Sequence, residues 1–376
     1  MKWPRVLLVV CAAVVGGCLA RPGSELARAG DEIVVAGRYF RTGTPVVLWI
    51  DPGGYDGYRV EKRFVAWEKA GFDAWKGDPK GPGSPERFGL RFAEGGRGPG
   101  GTGERLDDAT LARVRGGGWT LEDVQRRVDQ FVLHYDACGC SRQCFNILHD
   151  HRGLSVHFML DIDGTIYQTL DVKERAWHAT TSNDRSVGVE IASPGAMAVP
   201  QDAGKAAAAG WVFNEVGAAV GPPPKGLLGE WYAREADGSV RLVLPKWLGD
   251  GGVRTREPDG APFVPRVVPA GAPGGGLCIT PIQGQTLAQY PYTAQQRAAL
   301  VKLTATLCQV LPGIRPECPR DADGRVSNGK LPDDRLAAFA GVLGHYHITP
   351  DKIDPGPALD FEALIGAVRE ELEHRR

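Results

Sequence analysis

The chain has 376 residues and a formal net charge of −1, with 44 Lys and Arg against 45 Asp and Glu. A balance this even excludes electrostatic capture of nucleic acid as a main task, and no P-loop, dinucleotide fingerprint or internal repeat is present. The 43% hydrophobic content supplies a sizeable core, and the length exceeds an ordinary domain of roughly 100–150 residues.

In chain order, Lys2 and Arg5 precede an apolar run from Val6 to Val15, too short for a stable bilayer span and suited to a signal-peptide core. It leads into Val15-Gly16-Gly17-Cys18, the small-residue-then-cysteine pattern of a bacterial lipoprotein cleavage site. Residues 1–18 are therefore expected to be a signal peptide, with Cys18 the lipidated first mature residue and the membrane a partner through its lipid anchor. Ordinary cleavage at an A-x-A-like site, with Cys18 incidental, is the alternative. Both readings export the protein to the cell envelope, facing periplasm or wall.

Residues 19–105 read as an N-terminal extension, with strand-like runs at Ile33–Val35 and Val46–Ile50 and a Gly-, Arg- and Pro-rich linker from Gly95 to Gly103. The main domain is expected over 106–376. Thr120 caps a helix there, and Phe131 to Asp136 forms a buried apolar strand that hands His134 to a cleft. Five of the eight histidines fall between 134 and 178. His157 alternates with apolar neighbours on a strand, and His178 follows Trp177 before a polar loop; lining the cleft and plain structural roles weigh equally for both. His149 and His151 are expected on the polar side of a short helix.

Residues 194–290 form an insertion rich in Gly and Pro that carries Trp211, Trp231, Tyr232 and Trp247. Its aromatics either grip a substrate or, the favoured reading, form a small core of their own. Thr293 and Gln296 make a capping box for a helix with Leu300, Leu303, Leu307 and Val310 on one face. A last helix follows Asp360. In an oxidising compartment, Cys138, Cys140, Cys144, Cys278, Cys308 and Cys318 read as disulfide candidates. Metal binding by the first three is the alternative, although their spacing matches no strong zinc pattern.

The most informative stretch runs from His345 to Pro357. It sets His345, His347, Lys352 and Asp354 on a loop that Pro and Gly keep from being helix, and imidazole with carboxylate is a donor mixture suited to zinc. His134 is the obvious ligand from elsewhere. His347 competes with His345, because an extended backbone would point both the same way.

Several pieces together resemble the type-2 N-acetylmuramoyl-L-alanine amidases, which share a fold with peptidoglycan recognition proteins. They are Val132-Leu133-His134-Tyr135, Leu154 to Phe158, Asp163 to Gln168, Ala176-Trp177-His178-Ala179, Asn183 with Ser186 to Ile191, and Gly344 to Pro357. The resemblance implies an α/β fold, a mixed central sheet flanked by helices with one zinc at an edge of the sheet. It implies His134, His345 and Asp354 as zinc ligands, Glu190 as the catalytic carboxylate and Lys352 as the cation facing the scissile carbonyl. Some relatives have a tyrosine where this chain has Val156, so Glu190 would carry the whole general-base role. His157, His178 and Asn183 fall where substrate contacts or supports of the ligands are expected, and related recognition proteins carry a disulfide at the separation of Cys138 and Cys144. The implied activity is zinc-dependent hydrolysis of the bond between N-acetylmuramic acid and L-alanine, on peptidoglycan or muropeptides. The alternative is a non-catalytic peptidoglycan-binding protein of the same fold.

Overall fold

A computed structural model describes residues 22–58, 88–92, 105–115, 117–213, 219–222, 225–272 and 276–376. The signal-peptide reading with Cys18, and the linker from Gly95 to Gly103, lie outside the described residues. Strands β1 (Glu32–Val35) and β2 (Arg38–Arg41) form a hairpin. Its two-residue turn puts Ala36 and Gly37 at positive φ, 50° and 72°, the twist that tight hairpins require. Strand β3 (Val46–Leu48) follows, and β4 (Phe88–Leu90) comes later.

Two helices, α1 (Asp108–Arg115) and α2 (Leu121–Arg127), lead into the core. Thr120 caps α2 as expected, its side chain accepting from the Asp123 amide while Asp123 answers back to the Thr120 amide. Next come β5 (Gln130–Tyr135), β6 (Phe158–Leu160), β7 (Ile166–Gln168), β8 (Glu174–Ala176) and β9 (Ser186–Ile191).

A six-stranded sheet organises the molecule, in the order Gly341–Gly344, β5, β9, β6, β7, β3. All neighbours are parallel except β6 and β7, so the sheet is mixed. The apolar runs of β5 and β9 fit strands covered on both faces. β3 belongs to this sheet, pairing with β7. The segment N-terminal to residue 105 thus supplies an edge strand of the core sheet.

The long helix Ala294–Val310 and the C-terminal helix Phe361–His374 cover one face, burying Leu300, Leu303, Leu307, Phe361, Leu364 and Val368. The long helix is fixed at its start. Thr293 Oγ1 donates to the Ile162 carbonyl at 2.7 Å, and Gln296 Nε2 donates to the Ala192 carbonyl at 2.7 Å. Within 194–290, Trp211, Leu228, Val240, Val268 and Tyr290 pack together as a separate small cluster, whereas Trp247 is 64% exposed. Of the four aromatics singled out in this segment, Trp211 and Tyr232 join that cluster, whereas Trp231 packs beside Ile162 and Ala192.

Asp161, just past β6, is fully buried. Its Oδ1 accepts from the amides of Ser141 and Ile162, its Oδ2 has no hydrogen-bond partner among the described residues, and burial pushes its carboxyl up to about 8. The folded state thus holds this proton more tightly than the unfolded chain. Its stabilisation is fully present below pH of about 4 and drains away as pH rises towards about 8. Thermal unfolding of metal-free protein checks this. Asp161→Asn is expected to match wild type near the acidic limit and then gain on it by up to about 1.4 kcal/mol per pH unit. Parallel stability curves would show that Asp161 is ionised in the native state.

Candidate metal centre and cleft

His134 sits on the last turn of pleat in β5, and Glu190 lies directly beside it in the parallel register of β9. Equivalent positions on adjacent parallel strands present their side chains to the same face, so sheet register alone brings these two together. The strand Gly341–Gly344 flanks β5 on the other side and delivers His345 at its end. The chain then turns back, and Asp354 completes the group.

His134 Nδ1 lies 3.1 Å from His345 Nδ1 and 2.8 Å from Asp354 Oδ2, and His345 Nδ1 lies 3.0 Å from the same oxygen. Ligands on a tetrahedral zinc at ordinary bond lengths are separated by roughly 3.3 Å. The three donors therefore already stand near the spacing the ion would need, and all three residues are buried. Burial, then the nearby His345, pushes His134 down to about 4. Burial alone would raise the Asp354 carboxyl, but His345 and His134 hold it well below the usual carboxylate range. A neutral imidazole beside an ionised carboxylate is the protonation state a divalent cation selects.

His134 is oriented from behind. Its Nε2 is 3.0 Å from His178 Nδ1, and His178 Nε2 is 3.2 Å from Ser186 Oγ. If His134 offers Nδ1 to a metal, its Nε2 carries the proton and donates to His178. That makes His178 the Nε2–H tautomer, which donates to Ser186. An imidazole here does the orienting that a carboxylate or carbonyl usually does for a ligating histidine. Asn183 fixes the loop, its Oδ1 accepting from the amides of His178 and Ala179 at 3.1 and 2.7 Å.

A Cβ added at Gly188 would stand 2.6 Å from the His178 ring, so this ring occupies the notch that glycine leaves. Gly188→Ala is expected to destabilise the fold by about 1–3 kcal/mol through overpacking. It should also weaken zinc affinity, since His178 must move off His134. Chelator competition checks the second effect, and unchanged affinity would show that the His178 contact is dispensable.

The cleft has a volume of about 690 Å³ and is bordered by the three donors, Glu190 and Lys352. Arg152 and Arg175 also line it, and the sequence reading passed over both. Glu190 Oε2 is buried with no hydrogen-bond partner among the described residues. Burial first, then the charges of Asp354 and Asp136, raise its carboxyl well above the ordinary range.

Other expected residues fall elsewhere. His157 is fully buried behind the cleft, and its Nδ1 accepts from the Gly188 amide at 3.1 Å, so its Nε2 carries the proton and donates to the Glu174 carbonyl. It supports β9 and does not line the cleft. His347 turns away because residues 345–347 form a 3-10 turn and not extended chain; its Nδ1 accepts from the Gly344 amide and its Nε2 faces the Ser327 carbonyl. His149 is buried, stacked on Phe145 and bonded to the Gly57 carbonyl, which corrects its placement on a polar helix face. Cys138 and Cys144 both border the cleft, but as thiols and not as the expected disulfide. A hydrogen bond with Cys138, then burial, pushes the Cys144 thiol up.

Residues 124–223 match the family described as N-acetylmuramoyl-L-alanine amidase, Amidase_2. Among solved structures the chain is similar to AmpDh3 from Pseudomonas aeruginosa, in complex with anhydromuramic pentapeptide, at 18% identity and a TM-score of 0.32, covering 64% of this chain and 60% of that one. It is also similar to the amidase AmiD from E. coli, in complex with the substrate anhydro-N-acetylmuramic acid-L-Ala-D-gamma-Glu-L-Lys. There the identity is 17% and the TM-score 0.31, over 64% of this chain and 57% of that one. The chain thus spans about three fifths of the length of these two relatives. No curated protein matches it.

Proposed function

From the premise that its segment 124–223 belongs to the type-2 N-acetylmuramoyl-L-alanine amidase family, we propose that this chain is a zinc-dependent amidase. It would hydrolyse the bond between the lactyl group of N-acetylmuramic acid and L-alanine in peptidoglycan or muropeptides. The observation that carries this reading is the convergence of His134, His345 and Asp354 in one cleft beside Glu190, whose Oε2 has no hydrogen-bond partner among the described residues.

The three donors would hold one zinc. Bound there, the ion would acidify a water and polarise the substrate carbonyl. Glu190, whose carboxyl is raised and free to exchange a proton, is the residue that takes the water proton and returns it to the leaving amine. Lys352 borders the cleft on the side of Asp354 and supplies the positive charge for the developing oxyanion. His178 and Asn183 serve as supports of the His134 ring, with His157 one layer further back. Export and lipidation at Cys18 belong to the same proposal. Among the described residues no helix is long and apolar enough to cross a membrane.

Purified full chain should bind one zinc and release new L-alanine amino termini from peptidoglycan. Zinc binding without release from wall or muropeptides would favour a peptidoglycan-binding protein. A folded protein without affinity for zinc would overturn the ligand set.

A further inference from the structure

Arg91 is a fully buried arginine, and it comes from the segment that precedes the family match. Antiparallel pairing of β4 with β8 carries the chain to the back of the cleft, where residue 91 turns inward. Its guanidinium donates to four main-chain carbonyls. Nε and Nη2 reach Val172 at 3.2 and 3.0 Å, Nη1 reaches Asn183 and Asp184 at 3.2 and 2.7 Å, and Nη2 reaches Ser186 at 2.9 Å. The His157 Nε2 that lies 3.0 Å from Nη2 already carries a proton donated to Glu174, so that approach is a packing contact.

Two of those carbonyls belong to the residues that hold His178. Asn183 secures the His178 amide through its Oδ1, and Ser186 meets His178 Nε2 through its Oγ. His178 in turn meets His134 Nε2, opposite the nitrogen that faces Asp354. The planar fork of an arginine can bind several carbonyls at once, which no other side chain does in one plane.

We infer that Arg91 is a positioning residue for the metal centre, clamping the 183–186 turn so that His178 holds the His134 ring in its ligating orientation. This rests on the zinc reading proposed above. The segment that precedes the amidase match therefore supports the centre from behind.

The test uses the full chain, with zinc alone as the probe. Zinc affinity is measured by chelator competition for wild type, Arg91→Lys and Ser186→Ala, together with the unfolding midpoint of each metal-free protein and steady-state kinetics on muropeptide. Arg91→Lys keeps a charge and some donors but loses the planar fork. A positioning role predicts zinc affinity lowered about tenfold to a hundredfold in a cooperatively folded protein, with kcat falling more than KM changes. Ser186→Ala should weaken zinc in the same direction, and the double variant should lose less than the sum of the two.

Affinity within about twofold of wild type, even with a lowered midpoint, would make Arg91 a residue of the fold alone and overturn the inference. Failure of Arg91→Lys to fold in saturating zinc would overturn it too. A wild type that binds zinc but leaves peptidoglycan intact would sink the amidase activity, and the affinity comparison would still decide the role of Arg91. A wild type that takes no zinc would sink both.

Discussion

Glu190→Gln is expected to lower turnover on purified peptidoglycan by about 10²–10⁴-fold, the usual contribution of a positioned acid–base group, while zinc stays bound. Glutamine keeps the volume and one acceptor oxygen but cannot exchange a proton. Zinc should stay because the carboxyl of Glu190 is not among the three converging donors. Glu190 is suited to the task by its surroundings. Its Oε2 is buried with no competing hydrogen bond among the described residues, and desolvation, followed by the charges of Asp354 and Asp136, makes the protonated form accessible. A bound cation would offset part of that upward push, leaving a group that can both take and return a proton. Release of L-alanine amino termini, followed alongside zinc content, separates chemistry from metal loss. A variant that keeps wild-type turnover would place the base elsewhere in the cleft.

The parts of this centre that were legible in the sequence are those set by local rules. An apolar strand ending in His134 fixes which face that ring occupies, and the break imposed by Pro350, Pro355 and Gly356 keeps Asp354 off a helix. The caps at Thr120 and Thr293 were readable for the same reason, since a capping box spans four consecutive residues. What could not be read depends on contacts between distant segments. β3 looks like any short apolar run until β7 pairs with it. Arg91 carries no local signal, because its acceptors are carbonyls 81 to 95 residues away. Two-residue alternation would turn His347 the same way as His345, but residues 345–347 fold as a 3-10 turn and not as extended chain. The local pattern sets His149 on the polar side of a short helix, and only the fold brings the Gly57 carbonyl, 92 residues away, to its ring.

Loss of the metal should have the second large effect, and Asp354→Asn is its sharpest form. Three acceptor atoms face one another within 3.1 Å, and without a cation the arrangement depends on shared protons. Zinc at a thousandfold excess over its dissociation constant should add about 4 kcal/mol to wild-type stability, and a strong chelator should remove it. Asparagine has nearly the shape of aspartate but brings neither the anionic oxygen nor its charge. It can also turn an NH2 group towards His134 Nδ1 or His345 Nδ1, occupying the lone pair that a metal needs. Asp354→Asn should therefore abolish both the zinc-dependent rise in unfolding temperature and turnover, while the metal-free fold remains near wild type. Calorimetric unfolding with and without zinc measures this directly, and an undiminished zinc shift in the variant would remove Asp354 from the ligand set. In the wild type the zinc shift should itself fade as pH drops, because protons then compete for the same imidazole and carboxylate positions. That dependence distinguishes a centre built from His134, His345 and Asp354 from adventitious binding to carboxylates on the surface, which would persist to lower pH in the absence of histidine.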